Sequence, residues 1–478
     1  MFTVSVPIEL LSKIFVLAYD GDDIANAGFV DVCRYWRAVA LATPELWSHV
    51  TVRKSGKGLS TILERSRSCP LTIRATLKDD PSYVACNTVQ YVGSVSVTMG
   101  YQPRTIATSN VSPSLHKILE NLFSHSHHWS NVFLQLSPNL FHLLDDLKGP
   151  LPILKKLHLE MIQTADYLED LPEVSSNAFA VAPQLTGLVI ANIRGGVPFP
   201  MSNLRSVHLR EFVTLEKMSD LLKEAPYLTK FVANRDRLSG HNDFDDGPPS
   251  HAGIPIVHTS LREMEFHRVR RVGDLLRSCV LPNLESFIFN DFFEFEDYQT
   301  IRSLSDCFAA WLPPLRKLSI RGIMPNEDMI LLLRAVPTVQ ELIIAQTLWD
   351  DPEHLEMRFG ELVARNLCAE VGLLPHLHSL DLCATTYPSD DVHDEWTGNI
   401  FADMIASRWA SSSQAVKLKH VRVGGYEFGF GSSVVERFES FKRQDLDISW
   451  VDQDRVFSLV AADIIPEPRP TGITSQIM

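Results

Sequence analysis

Between Leu10 and Ala18 the apolar side chains Leu10, Leu11, Ile14, Phe15 and Ala18 recur at steps of three and four, which lays them along one stripe of a helix. Ser5 and Pro7 precede the stripe, and proline suits a first helical turn because its missing N–H has no intrahelical partner there. A helix is expected to start at this point and to end at Gly21, Asp22 and Asp23. A second helical pattern runs from about Ile24 to Ala42, with Val32, Trp36, Val39 and Ala40 on one face and Asp31, Arg34 and Arg37 largely on the other. A Thr43-Pro44-Glu45 turn then leads to Leu46 and Trp47. A piece of about fifty residues is marginal as an independent core, so part of this apolar surface needs a partner, either the rest of the chain or another protein.

Further along, the period changes. A unit reading Pro-x-Leu-x-x-Leu-x-Leu, with other apolar residues substituting for leucine, recurs about ten times. It is seen at Pro152-Leu154-Leu157-Leu159, Pro183-Leu185-Leu188-Ile190, Leu204-Val207-Leu209 and Pro226-Leu228-Phe231-Ala233. It continues at Leu261-Met264-Phe266, Pro282-Leu284-Phe287-Phe289, Pro314-Leu315-Leu318-Ile320 and Pro337-Val339-Leu342-Ile344. Pro375-Leu377-Leu380-Leu382 and Leu418-Val421-Val423 close the series. The last two apolar positions are two apart, the alternation of a strand with one buried face, and the first marks the turn into that strand. Helical segments fall between units at Met218 to Ala225, Val272 to Cys279, Asp328 to Ala335 and Leu355 to Leu374. A strand-plus-helix unit cannot close a core alone, so neighbours must stack, with parallel strands on one face and helices on the other.

The spacing of successive first leucines runs from 19 residues (Leu185 to Leu204) to 41 (Leu377 to Leu418), so insertions separate the units. Val50-Val52, Leu71-Ile73, Val95-Val97 and Val132-Leu134-Leu136 read as early, degenerate strands, with Leu115 to Ser124 a helix; terminal repeats are commonly atypical. Residues 235–258, rich in Gly, Asp and Pro, read as an acidic surface loop. The expected organisation is a helical domain at 1–50, a cap or degenerate first repeats at 51–150, a repeat domain at 151–464 and a loose tail at 465–478. A doubly wound α/β sheet also alternates strands with helices, but the chain has no Gly-rich first turn.

Composition narrows the functions available. Hydrophobic residues make up 45% and charged residues 21% of the 478, which places the chain among folded proteins rather than disordered ones. With 58 acidic against 44 basic side chains the net charge is -14, which repels phosphate backbones and argues against nucleic acid as a partner. Cys33, Cys69, Cys86, Cys279, Cys307, Cys368 and Cys383 form no CxxC pair and are odd in number, against both a disulfide framework and a zinc module. Residues 1–19 lack the basic start of a signal peptide, and no uncharged apolar run is long enough to span a membrane. An intracellular protein is expected, cytoplasmic or nuclear, leaving the sequon at Asn110 unused.

No motif with a catalytic spacing appears: no phosphate-wrapping GxxxxGK[ST], no GxGxxG, no HExxH and no GxSxG. His116 with His125, His127 and His128 is the nearest approach to a metal site, yet adjacent imidazoles do not converge without a special turn and no carboxylate or thiol completes a shell. The run Asp291-Phe292-Phe293-Glu294-Phe295-Glu296-Asp297 reads as an insertion with one solvated acidic face. No cofactor and no catalysis are expected.

The segments Val6-Pro7-Ile8-Glu9-Leu10-Leu11-Ser12-Lys13-Ile14-Phe15, Val32-Cys33-Arg34-Tyr35-Trp36-Arg37-Ala38-Val39-Ala40 and Thr43-Pro44-Glu45-Leu46-Trp47-Ser48 resemble an F-box, and the later pattern resembles the irregular leucine-rich repeats that often follow one. Val6 stands where many members carry leucine. The resemblance implies docking onto a Skp1-like adaptor and, through it, a cullin, with Pro7, Leu10, Leu11, Ile14 and Phe15 as the main contact and Val32, Trp36, Leu46 and Trp47 completing or supporting it. It implies the substrate-recognition role of a ubiquitin ligase complex, the alternatives being a Skp1-bound scaffold that never reaches cullin and an unrecognised α/β enzyme. The side chains that alternate with the buried leucines are expected on the concave, target-holding face of a curved solenoid. They are His158, Glu160, His208, Arg210, Glu265, His267, Ile288, Asn290, Arg321, Asp381 and Arg422.

Overall fold

A computed structural model describes residues 6–19, 27–52, 56–78, 111–162, 173–210, 214–235, 255–269, 271–291, 298–322, 326–348, 361–386, 395–410, 416–425, 430 and 432–451. The chain divides into two compact units, one built mainly from residues 1–214 and the other mainly from 245–478 with the segment 215–223. Val95-Val97, Cys86, Asn110, most of the loop at 235–258, residues 292–297 and the tail lie outside the described residues.

The first unit opens with helices. α1 (Ile8–Ala18) is followed by a 3-10 turn at Gly28–Val30, α2 (Arg34–Ala42) and a second 3-10 turn at Pro44–Trp47. The helix expected from Ile24 to Ala42 is therefore shorter. Cys33 is fully extended (φ −162°, ψ 169°) and its Sγ accepts from the Trp36 N–H at 3.4 Å, so it caps α2 and ends any continuous helix upstream. Arg37 holds that break by donating to the Val30 carbonyl at 3.1 Å and to Asp31 at 2.8 Å.

A parallel sheet follows, with β1 (His49–Val52), α3 (Leu59–Ser66), β2 (Leu71–Leu77), α4 (Pro113–Phe123), β3 (Trp129–Leu136), β4 (Lys156–Met161), β5 (Gly187–Ala191) and β6 (Ser206–Arg210). The strands expected near Val50, Leu71 and Val132 are all present and pair in sequence order. Glu173–Ser175 pairs with Arg194–Gly196 in a separate two-stranded ladder.

The second unit continues the alternation. It holds α5 (Leu215–Glu224), β7 (Lys230–Asn234), β8 (Glu263–His267), α6 (Val272–Arg277), β9 (Ser286–Asp291), α7 (Tyr298–Trp311), β10 (Lys317–Gly322), α8 (Asn326–Ala335) and β11 (Glu341–Leu348). These lead to α9 (Glu361–Leu367), β12 (Ser379–Thr386), α10 (Glu395–Ala410), β13 (His420–Gly425), α11 (Ser432–Arg443) and β14 (Asp447–Val451). Strands β8 to β14 pair parallel and in register. Among the described residues, the strands of neither unit show the order reversal that a doubly wound sheet requires.

The recurring apolar positions explain this register. Met264, Phe287, Leu318, Leu342, Leu380, Val421 and Ile448 occupy one row across β8 to β14 and are each at most 2% exposed. The residue that leads into each strand, from Leu154 and Leu185 through Leu284 and Leu315 to Leu377 and Leu418, is wholly buried. Its successor carries the backbone from unit to unit: Thr186 N–H to Lys155 at 2.9 Å, Arg316 N–H to Glu285 at 2.8 Å, Lys419 N–H to His378 at 2.7 Å. Burying each such side chain contributes about 1.5–3 kcal/mol, and a one-residue slip would turn the whole row to the other face. Helices α6 and α7 approach closely because Gly273 has no Cβ; one placed there would sit 2.7 Å from the Ser303 Cβ.

Two further helical expectations need correction. Of the helix expected over Leu355 to Leu374, residues 355–360 lie outside the described residues, and the remainder is α-helical only over Glu361–Leu367, since Cys368 turns extended and Gly372 and Leu374 take positive φ (75° and 52°). The segment Val272 to Cys279 ends its helix at Arg277 and pairs Cys279–Val280 with Ile256–Val257. Helices α7, α10 and α11 and strand β14 had no counterpart among the predicted elements.

Candidate functional site

Within residues 8–18 only Glu9, Ser12 and Lys13 are polar, so α1 is apolar around most of its circumference, the pattern of a helix covered on more than one side. Its inward side is filled. Leu11 and Phe15 are each 1% exposed and pack with Val39, Ala40, Leu46 and Trp47. Phe15 also meets Trp36 at 5.2 Å between ring centroids, and the Arg65 guanidinium lies 4.5 Å from the Trp47 ring centroid. Thr43 Oγ1 donates to the Val39 carbonyl at 2.8 Å and lies 3.1 Å from Ser12 Oγ, tying the turn after α2 to α1.

The outward side is open. Leu10 is 52% exposed and Ile14 49%, with Leu17 exposed on the same side of α1; Ile8 at the start of the helix, and Val32 (58%) and Tyr35 in the segment that leads into α2, are exposed as well. Of the seventeen large apolar side chains exposed among the described residues, nine fall between Val6 and Leu41, a density that marks an interaction surface.

The nine residues expected to contact an adaptor are thus divided by the fold. Pro7, Leu10, Ile14 and Val32 are at the surface; Leu11, Phe15, Leu46 and Trp47 are internal; Trp36 is half-buried against Phe15. Reading α1 as a single stripe merged two faces. Ile8 and Leu17 were missed for the same reason, although their place in the apolar run was visible.

On the sheets, the side chains that alternate with the leucines share the other face, as the strand register requires. In the first unit His158 and His208 lie in one row with Val189 between them, and Glu160 and Arg210 in the next with Ala191 between them. Gln135 Nε2 donates to Glu160 Oε1 at 3.0 Å, and His158 Nε2 is 3.3 Å from Glu160 Oε2. Burial raises the Glu160 carboxyl, but these two groups and the charge of Arg210 outweigh it and hold it below the ordinary glutamate range. Arg210 Nε donates to His208 Nε2 at 3.5 Å.

In the second unit Glu265, Ile288, Asp381 and Arg422 fall in one row and His267, Asn290 and Arg321 in the next. The structure brings together Lys230 with Glu265 (2.7 Å), His267 Nδ1 with Asn290 Nδ2 (2.8 Å) and, less closely, Arg422 with Asp381 (3.7 Å). Burial pushes the Glu265 carboxyl up, yet the His267 imidazole 3.7 Å away and the Lys230 ammonium together bring it down to about 2. Asn290 is 7% exposed, so it sits in the sheet face rather than standing out from it. The eleven expected face residues therefore fall into two sets, one in each unit.

The histidines at 116 and 125–128 do not converge: His127 and His128 rings lie 4.0 Å apart, while His125 Nδ1 faces the Asn121 carbonyl at 3.1 Å. Among the described residues no group of three His, Cys, Asp or Glu side chains could hold a metal ion. Nor is any helix of the described residues long and apolar enough to cross a membrane.

The geometry thus defines a mixed α/β chain whose N-terminal helices keep one apolar face open, ahead of large parallel sheets with leucine-lined cores. Residues 3–53 match the family model of F-box-like domains, and the open face of α1 lies inside the matched segment. A search of curated proteins finds no match to the chain.

Proposed function

We propose that this protein is the substrate-recognition subunit of an SCF-type ubiquitin ligase, bound through its F-box-like helices to a Skp1-like adaptor and thereby to a cullin. The observation that carries the reading is the open side of α1 at Leu10 and Ile14, with Val32 exposed further along, all within the F-box-like match and next to an already filled helical core. The repeating strand-plus-helix units form a leucine-rich-repeat-like solenoid whose polar strand face holds a target protein. Its role is to recruit and to orient, raising the target's effective concentration near the ubiquitin-charged enzyme, without chemistry of its own. Such a receptor works in the cytoplasm or nucleus.

The test is capture of a purified Skp1-like adaptor by wild type and by a Leu10→Asp, Ile14→Asp variant. Wild type is expected to retain adaptor and, when cullin is added, cullin as well; the variant is expected to lose both while melting at the same temperature. Adaptor without cullin would make the protein a scaffold, and no adaptor at all would end the ligase reading.

A further inference from the structure

On a chain of net charge -14, the polar face of the first sheet runs against the average. Strands β2 to β6 place fourteen side chains and Gly187 there in three rows that begin at Thr72, Arg74 and Thr76. Arg74, Lys156 and Arg210 are the cations, and Glu160 is the sole carboxylate. That carboxylate is already occupied by Gln135 and His158. The corresponding rows of the second unit hold Glu263, Glu265, Glu341, Asp381 and Asp447 against Lys317, Arg321 and Arg422, so the excess of positive charge belongs to the first sheet.

The three cations also have a definite spacing. They stand on alternate strands, β2, β4 and β6, about 10 Å apart across the sheet but in different rows, so that Arg74 and Lys156 are separated by about 12 Å and Lys156 and Arg210 by about 16 Å, roughly four and five residues of extended chain. Between the first two lies an aromatic step: the Phe133 and His158 rings meet at 4.3 Å, and the Arg74 guanidinium sits 5.5 Å from the Phe133 centroid. Lys156 lays its stem over Gly187, where a Cβ would be 3.4 Å from Lys156 Cγ, which leaves the ammonium at the exposed end.

We propose that this face binds an unphosphorylated acidic segment of a partner protein, extended across the strands with its carboxylates on Arg74, Lys156 and Arg210 and an aromatic or aliphatic side chain on Phe133. The proposal rests on the receptor reading and names the chemistry of its target. A phosphate group calls for several donors converging on one point. Here the cations are spread one to every second strand, which suits single carboxylates at intervals.

The experiment is fluorescence anisotropy with the full chain and a labelled twelve-residue probe in which glutamates alternate with phenylalanines. Controls carry glutamine for every glutamate, or phosphoserine at two positions in an otherwise neutral peptide. The glutamate probe is expected to bind, to weaken about tenfold or more between 50 and 200 mM salt, and to lose binding in Arg74→Glu, Lys156→Glu. Both substituted residues are exposed, so this variant keeps its fold, checked by its melting temperature. Equal binding of the glutamine probe, binding of the phosphoserine probe alone, no binding of the glutamate probe, or unchanged affinity of the variant would each overturn the proposal. Adaptor capture measured on the same samples separates the two readings. Adaptor held but no peptide bound sinks only this proposal, whereas peptide bound but no adaptor held sinks only the ligase.

Discussion

The rings of Phe15 and Phe29 stack face to face, centroids 4.5 Å apart and planes within 11° of parallel. This contact fixes which way α1 is rotated, because it turns Phe15 and its neighbour Leu11 into the helical core and leaves Leu10 and Ile14 outside. Substitutions on the two sides of α1 should therefore have opposite consequences. Phe15→Ala is expected to cost about 3–5 kcal/mol of stability and to reduce adaptor capture only through unfolding. Leu10→Asp should leave the melting temperature within about 2 °C and still abolish capture. Calorimetry beside pull-down distinguishes the two; a Leu10→Asp protein that binds normally would place the contact elsewhere.

The same alternation governs the sheets. Leu188 is 1% exposed on the core side of β5, and Val189, the next residue, stands half-buried on the polar face between His158 and His208. Leu188→Ala is expected to destabilise the first unit by about 2–5 kcal/mol, and Val189→Ala by less than about 1 kcal/mol. Urea unfolding of both variants checks this. Equal losses would mean that the strand is covered on both faces.

Much of this was legible from the residues. The row Leu157, Leu188, Val207 could be read as strand because a period of two survives any change of loop length, and the lead-in leucines kept their offset from the strand while the spacing from one to the next varied from 19 to 41 residues. What periodicity could not supply is which side of an almost wholly apolar helix faces inward. That depends on Phe29 and Trp36, which come from elsewhere in the chain. Helix α10 was missed because its apolar residues follow no single face and it buries an arginine, Arg408, at 1% exposure. Arg74, Phe133 and Lys156 were missed as candidates because the leucines around the first two depart from the repeat unit, and Lys156 precedes its strand's first buried leucine. Only the register between strands shows that the three share a face.

Acid should expose the Glu265 pairing. Its carboxyl lies at about 2 in the folded protein against an ordinary glutamate value of 4.5, so its contribution is complete above pH 4.5 and is lost as pH falls toward 2. For Lys230, burial pulls the ammonium down but Glu265 and Glu263 outweigh it and raise it, so its contribution is complete below 10.5 and is lost as pH rises from there through the folded value. Lys230 is 39% exposed, and solvent screening limits the pair to about 1 kcal/mol. Glu265→Gln is expected to lower stability by about that amount at pH 7 and to flatten the decline between pH 4.5 and pH 2. Urea midpoints at pH 3 and pH 6 test it: an acid decline as steep in the variant as in wild type assigns the effect to other carboxylates.

Arg408 gives the sharpest test of the second unit, since a buried guanidinium is costly unless its donors are used. Its Nε donates to the Leu367 carbonyl, one terminal nitrogen to Leu373, and the other to Leu374 at 3.1 Å. These carbonyls end α9 and follow the turn through Gly372, where no helical N–H is left to meet them. Burial lowers the guanidinium to about 10, so it stays charged at neutral pH and keeps all its donors. Arg408→Met matches the length and removes the charge, but leaves three carbonyls without their donor; a loss of about 3 kcal/mol or more is expected. Arg408→Lys keeps the charge on one compact head that cannot span three acceptors, so it should recover only a small part of that loss. Equal stability of the lysine variant and wild type would show that charge alone, rather than the planar fork, secures the end of α9.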